Sequence, residues 1–82
     1  MSPSGRVTNP DLWQSYQSLS AVYYDLHDDK NALFYSEKVY QAKPDDPTVL
    51  TNYGTVLVRV GNYDAAKQIF KKVLSVDPGN EV

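Results

Sequence analysis

The chain has 82 residues, a formal net charge of −2 and no cysteine, which limits it to one small domain or a piece of a larger protein and excludes disulfides. Its eight basic residues are interleaved with ten acidic ones, leaving no basic footprint for nucleic acid. No apolar run approaches the roughly 20 residues of a membrane span, and Met1 to Thr8 lacks the hydrophobic stretch of a signal peptide, so a soluble, cytoplasmic chain is expected.

Residues 1–9 are rich in Ser, Pro and Gly and read as a flexible leader. A first helix is expected from about Leu12 to Asp25, because Leu12, Tyr16, Leu19, Val22, Tyr23 and Leu26 recur at spacings of three and four. Asn9-Pro10-Asp11 supplies its start: a capping side chain, a proline where the missing N–H costs nothing, and an acid in the first turn. After the turn Leu26 to Asn31, with an N-cap at Asp28 or Asp29, a second stripe runs through Ala32, Leu33, Tyr35, Val39, Tyr40 and Ala42. It must end before Pro44, since proline disfavours helical dihedrals in the residue before it.

A third helix opens near Asp46-Pro47 and carries Leu50, Tyr53, Leu57, Val58 and Val60. Gly61-Asn62 breaks it, because glycine readily takes the left-handed conformation that closes a helix. The fourth helix runs from about Tyr63 to Val76 with Ala66, Ile69, Phe70, Val73, Leu74 and Val76 inward, and Asp77-Pro78-Gly79 stops it. Short connections force neighbouring helices antiparallel, and strand signals are absent, so the fold class is all-α.

Pro10, Pro44 and Pro78 are 34 residues apart, and the intervals between them match in residue class. Residues 13–46 and 47–80 align with only five identities: Val22/Val56, Ala32/Ala66, Lys38/Lys72, Val39/Val73 and Pro44/Pro78. A repeat of that period, made of two helices, resembles the tetratricopeptide repeat. The second unit carries the family pattern in Leu50, Tyr53, Gly54, Leu57, Ala66, Phe70, Val73 and Pro78, and the first in Tyr16, Leu19, Ser20, Tyr23, Ala32, Val39 and Pro44. Small residues at Ser20, Gly54, Ala32 and Ala66 let the helices of each unit approach closely.

Two positions depart from the pattern. Ser36 stands where an aromatic belongs, and Phe34, Tyr35 or Tyr40 is expected to cover the shortage of bulk. His27 stands where the second unit has Gly61, so its turn is expected to be strained or differently shaped. The resemblance implies two hairpins stacked as a short right-handed α-solenoid, with residues 81–82 a tail. The six residues after Val76 are expected to be too few and too proline- and glycine-rich to supply a separate capping helix.

No active site is legible. His27 with Asp25, Asp28 and Asp29 lacks the i, i+4 pair that makes a helical metal site, and a solvated turn explains it more simply. No cysteine, second histidine or glycine-rich phosphate loop is present, so neither enzyme chemistry nor a cofactor is expected. The seven tyrosines read as helix contacts rather than base-stacking platforms, because basic residues do not surround them.

The resemblance implies a binding module for a protein or peptide. By position, the concave face is formed by Gln14, Gln17, Ala21, Tyr24 and Asp25 from the first unit, and by Thr48, Thr51, Asn52, Thr55, Val58 and Arg59 from the second. The carboxylate clamp of chaperone-binding relatives is not reproduced: Gln17 and Ala21 replace its lysine and asparagine, Asn52 alone matches, and Arg59 is the single cation. Without a capping helix, some of Ile69, Phe70, Val73, Leu74 and Val76 are expected to form a self-association face, making the chain a homo-oligomer or part of a longer repeat array. A docking segment of a larger protein or enzyme is the remaining alternative.

Overall fold

The structure, a computed structural model, describes residues 12–76, which form four helices and no strand. They are α1 (Leu12–Asp25), α2 (Asp29–Ala42), α3 (Pro47–Arg59) and α4 (Tyr63–Val76), packed in chain order, α1 on α2, α2 on α3 and α3 on α4. The expected leader, the Asn9-Pro10 start and the tail lie outside the described residues.

Side chains set the helix boundaries. Asp46 Oδ1 accepts from the amides of Thr48 at 2.9 Å and Val49 at 3.4 Å, with Pro47 in the first turn. Asp28 accepts from the Asn31 amide at 3.3 Å and from Asn31 Nδ2 at 2.8 Å, capping α2. Asn62 Oδ1 accepts from the Ala65 amide at 3.4 Å at the start of α4. Each cap satisfies backbone donors that no helical carbonyl can reach.

The two hairpin turns share one hydrogen-bond scheme. Asp28 N–H donates to Tyr23 O at 2.9 Å and His27 N–H to Tyr24 O at 3.1 Å; in the second hairpin, Asn62 N–H donates to Leu57 O at 2.9 Å and Gly61 N–H to Val58 O at 3.0 Å. This is the closure in which a left-handed residue follows the helix, and both central residues adopt it, His27 at φ 62° and Gly61 at φ 87°. The first turn is therefore not differently shaped. Its peculiarity is confined to a histidine in a conformation that disfavours a Cβ.

The hairpins differ in filling. Leu50, Leu57, Ala66, Ile69 and Val73 form an aliphatic core in the second, flanked by Leu33, Tyr40, Tyr53, Ala65 and Val76. The first is filled by rings: Tyr35 stacks between Tyr16 and Tyr23 with centroids 5.8 and 5.7 Å away, and Phe34 meets Tyr35 edge-on at 5.0 Å. Tyr40 stacks on Tyr53 at 4.9 Å, joining α2 to α3. Burial pushes the Tyr53 phenol pKa up, and the nearby Glu37 carboxylate and Tyr40 push it in the same direction.

The expected self-association face is thinner than its list. Ile69 and Val73 are buried, because Ala66, Ile69, Val73 and Val76 are the stripe of α4 that lies on α3. Val76 is half-buried against that core, and only Phe70 and Leu74 are exposed.

Candidate functional site

A cavity of about 170 Å³ opens between α1, α2 and α3. Its wall combines Gln17, Ser20, Ala21, Tyr24 and Asp25 of α1 with Ser36 and Val39 of α2, and Val49, Asn52, Thr55 and Val56 of α3. The depth is apolar and the rim polar: Val39, Val49 and Val56 are buried, whereas Asp25, Asn52 and Thr55 are exposed.

The cavity follows from Ser36. Its counterpart 34 residues on, Phe70, lays its ring over Gly54, so close that a Cβ on the glycine would stand 2.7 Å from Phe70 Cζ. In the first hairpin the same two places hold Ser36 and Ser20, and no ring lies between them. The expectation that Phe34, Tyr35 or Tyr40 covers the missing bulk is overturned. Tyr35 turns to Tyr16 and Tyr23, Phe34 is half exposed, and Tyr40 stacks on Tyr53. Successive helical residues point about 100° apart, so Tyr35 and Phe34 face elsewhere, while Tyr40, one turn on, is held by its stack on Tyr53.

Both serines keep their hydroxyls engaged. Ser20 Oγ donates to Ala32 O at 3.1 Å, and Ser36 Oγ donates to Leu33 O at 3.1 Å. Among the described residues, no buried side-chain nitrogen or oxygen lacks a hydrogen-bond partner. Nothing polar in the depth calls for a ligand charge.

Of the eleven residues assigned to the groove from sequence, six line this cavity: Gln17, Ala21, Tyr24, Asp25, Asn52 and Thr55. Gln14 lies in a shallower depression with Trp13, Gln17, Ser18, Ala21 and Asn52. Thr48, Thr51 and Val58 are exposed on α3 but line neither hollow. The sequence reading missed the apolar depth, Val39, Val49 and Val56, together with Ser20 and Ser36; the one signal for it was the missing aromatic at Ser36.

Arg59 is not a free groove cation. Its Nε donates to Asp29 Oδ1 at 2.8 Å, an NH2 group donates to Tyr24 O, and the guanidinium lies 3.7 Å from the Tyr24 ring centroid. The residue clips the end of α3 to the end of α1 and the start of α2. With three partners it positions the hairpins instead of offering charge to a ligand.

Among the described residues, no group of three or more His, Asp or Glu side chains is arranged to hold a metal ion, and no helix is long and apolar enough to cross a membrane. No curated protein and no solved structure matches the chain. Residues 25–80 match the family described as anaphase-promoting complex, cyclosome, subunit 3, a match that takes in α2, α3 and α4. Repeats of this tetratricopeptide type are generally non-catalytic protein-interaction modules. Four helices in consecutive hairpins, and a match over more than half of the sequence, place the chain in the anaphase-promoting complex subunit 3 family of tetratricopeptide-type repeats.

Proposed function

We propose that the chain is a non-enzymatic docking module whose two repeats, residues 13–46 and 47–80, bind an extended peptide or a partner helix along α1 and α3. The observation that carries this reading is the convergence of Gln17, Ala21, Tyr24, Asp25, Asn52 and Thr55 on one cavity. The amides of Asn52 and half-buried Gln17 and the Thr55 hydroxyl at the rim suit the donors and acceptors of a peptide main chain, and an apolar depth suits a side chain. Thr48, Thr51 and Val58 extend the same helix toward both ends of the groove. The family description names a subunit of a multiprotein complex, which supports partners that are themselves proteins of such an assembly.

The test is capture of partners from extract by the folded chain, read by mass spectrometry, with parent compared to an Asn52→Lys, Thr55→Lys double variant. Both sites are exposed, so helicity is expected to survive while capture falls. Equal capture by both proteins would move the binding face off this groove.

A second reading, assembly with further repeats, has its own support. Leu19 and Val22 on α1 are 38% and 52% exposed, and Phe70 and Leu74 on α4 are 37% and 53% exposed. Leu74 and Leu19 occupy the 34-residue equivalents of Tyr40 and Tyr53, the pair that joins the two hairpins. A hairpin stacked on α4 would thus meet apolar surface. A second copy fits less well than a different repeat, because Asp25 stands at the equivalent of Arg59 and cannot donate the clip. Sedimentation equilibrium at micromolar concentration separates the two: a homodimer would favour the second copy, and a monomer would favour a longer array.

A further inference from the structure

We propose that the cavity between Ser20 and Ser36 is a socket for one aromatic side chain, of phenylalanine size, carried by a partner peptide lying in the groove. The inference rests on the groove reading above and specifies what that groove selects. Three observations carry it.

The first is size. The cavity holds about 170 Å³, and apolar cavities on the order of 150 Å³ admit benzene. The volume is therefore enough to seat a phenyl ring. The second is the chain's own second hairpin, where the equivalent place is taken by a phenyl ring. Phe70 lies with Cζ, Cε1 and Cε2 at 2.7, 2.9 and 3.0 Å from where a Gly54 Cβ would stand. The first hairpin closes through the same turn hydrogen bonds but has serine at both places, and an incoming ring would replace what the chain itself does not supply.

The third observation is chemical. The serine hydroxyls are spent on Ala32 O and Leu33 O, and the remaining depth is Val39, Val49 and Val56, so an apolar ligand atom meets no polar group awaiting a partner. At the mouth, Gln17 and Asn52 offer amides to the peptide groups on either side of the ring. Asp25 is the charge on the rim, and Arg59, which stacks on the rim residue Tyr24, is already paired with Asp29. An acidic residue next to the aromatic is accordingly disfavoured, and a basic one is accepted.

The experiment uses the full chain with its valine methyls labelled, titrated with N-acetyl-phenylalanine amide and, as a control, N-acetyl-alanine amide. Saturable shifts at Val39, Val49 and Val56 are expected with the phenylalanine probe and absent with alanine. Ser36→Phe, which installs in the first hairpin the residue standing at Phe70 in the second, is expected to fold and to abolish the shifts. Should that variant fold poorly, Ser36→Leu is the smaller plug and is expected to weaken them. Absent shifts, equal shifts with the alanine probe, or shifts unaffected by the plugs would overturn the socket. Shifts of the three valines that depend on protein concentration without probe would assign the cavity to a second copy, and would overturn it too. The groove reading is tested separately: extract partners captured equally by parent and Ser36→Phe leave the groove standing and remove the socket.

Discussion

The Phe70 ring rests directly on Gly54, within 3.0 Å of the place a Cβ would occupy, so the glycine is what lets the second hairpin close around an aromatic. In a helix interior, alanine is ordinarily preferred to glycine by about 1 kcal/mol. Here that gain is opposed by the displaced ring, which sits at the surface of α4 and can swing outward. The expected outcome is a coupled pair. Gly54→Ala alone should be neutral or destabilising, yet stabilise a Phe70→Ala background by about 0.5–1 kcal/mol. Denaturant melts of the four proteins measure the cycle, and an additive result would mean that the ring and the glycine do not meet.

His27 holds a left-handed backbone, φ 62°, that costs an L-residue about 1–2 kcal/mol relative to glycine. Its hydrogen bonds match those around Gly61. His27→Gly is therefore expected to stabilise the chain by about 1 kcal/mol, less than the full strain because glycine also loosens the unfolded state. A fall in the urea midpoint would show that the imidazole makes a compensating contact.

Arg59 reaches across about thirty residues of sequence to Asp29 and the carbonyl of Tyr24, while stacking on the Tyr24 ring. Arg59→Ala should lower the melting temperature. Arg59→Lys should recover little of the loss, because an ammonium on a flexible stem cannot stack and donate to both oxygens together. Full rescue by lysine would reduce the clip to simple charge pairing.

Tyr53 gives a dependence on alkaline pH. Its folded-state pKa lies above the ordinary 10.0, with burial the leading cause. The neutral phenol is favoured in the folded chain, so this contribution is complete below the unfolded pKa and is lost as pH rises through the folded one. Stability should decline above about pH 10, and Tyr53→Phe should decline less steeply over the same window. Parallel declines in guanidine melts at pH 8 and pH 11 would remove Tyr53 as a source.

The four helices were legible because apolar spacing, prolines and capping residues all speak locally, and Asp46, Asn62 and Gly61 act where the sequence places them. Part of the cavity wall was legible too: Gln17, Ala21, Tyr24, Asp25, Asn52 and Thr55 share one side of α1 and α3 by position along a repeat, and all six line it. Two things were not. Arg59 reads as a groove cation until its partners, distant in sequence, are known. The cavity depends on which way each ring turns, and Tyr35 has two tyrosines to stack on away from Ser36. Residue size reveals a deficit of volume at Ser36, but only three-dimensional packing decides whether a neighbour fills it.

Asp28 and Asn62 each close one helix through the backbone amide and open the next through the side chain. The two hairpin turns consequently have no slack. One added residue would separate tasks that a single position now performs, leaving either a helix end unclosed or a helix start uncapped. Between the hairpins the tasks fall to different residues: Lys43 N–H bonds to Val39 O at the end of α2, and Asp46 caps α3. Pro44 and Asp45, exposed between them, are where this chain can accommodate changes of length. Insertions at that joint would vary the angle between hairpins and thereby the width of the groove, without unmaking either hairpin.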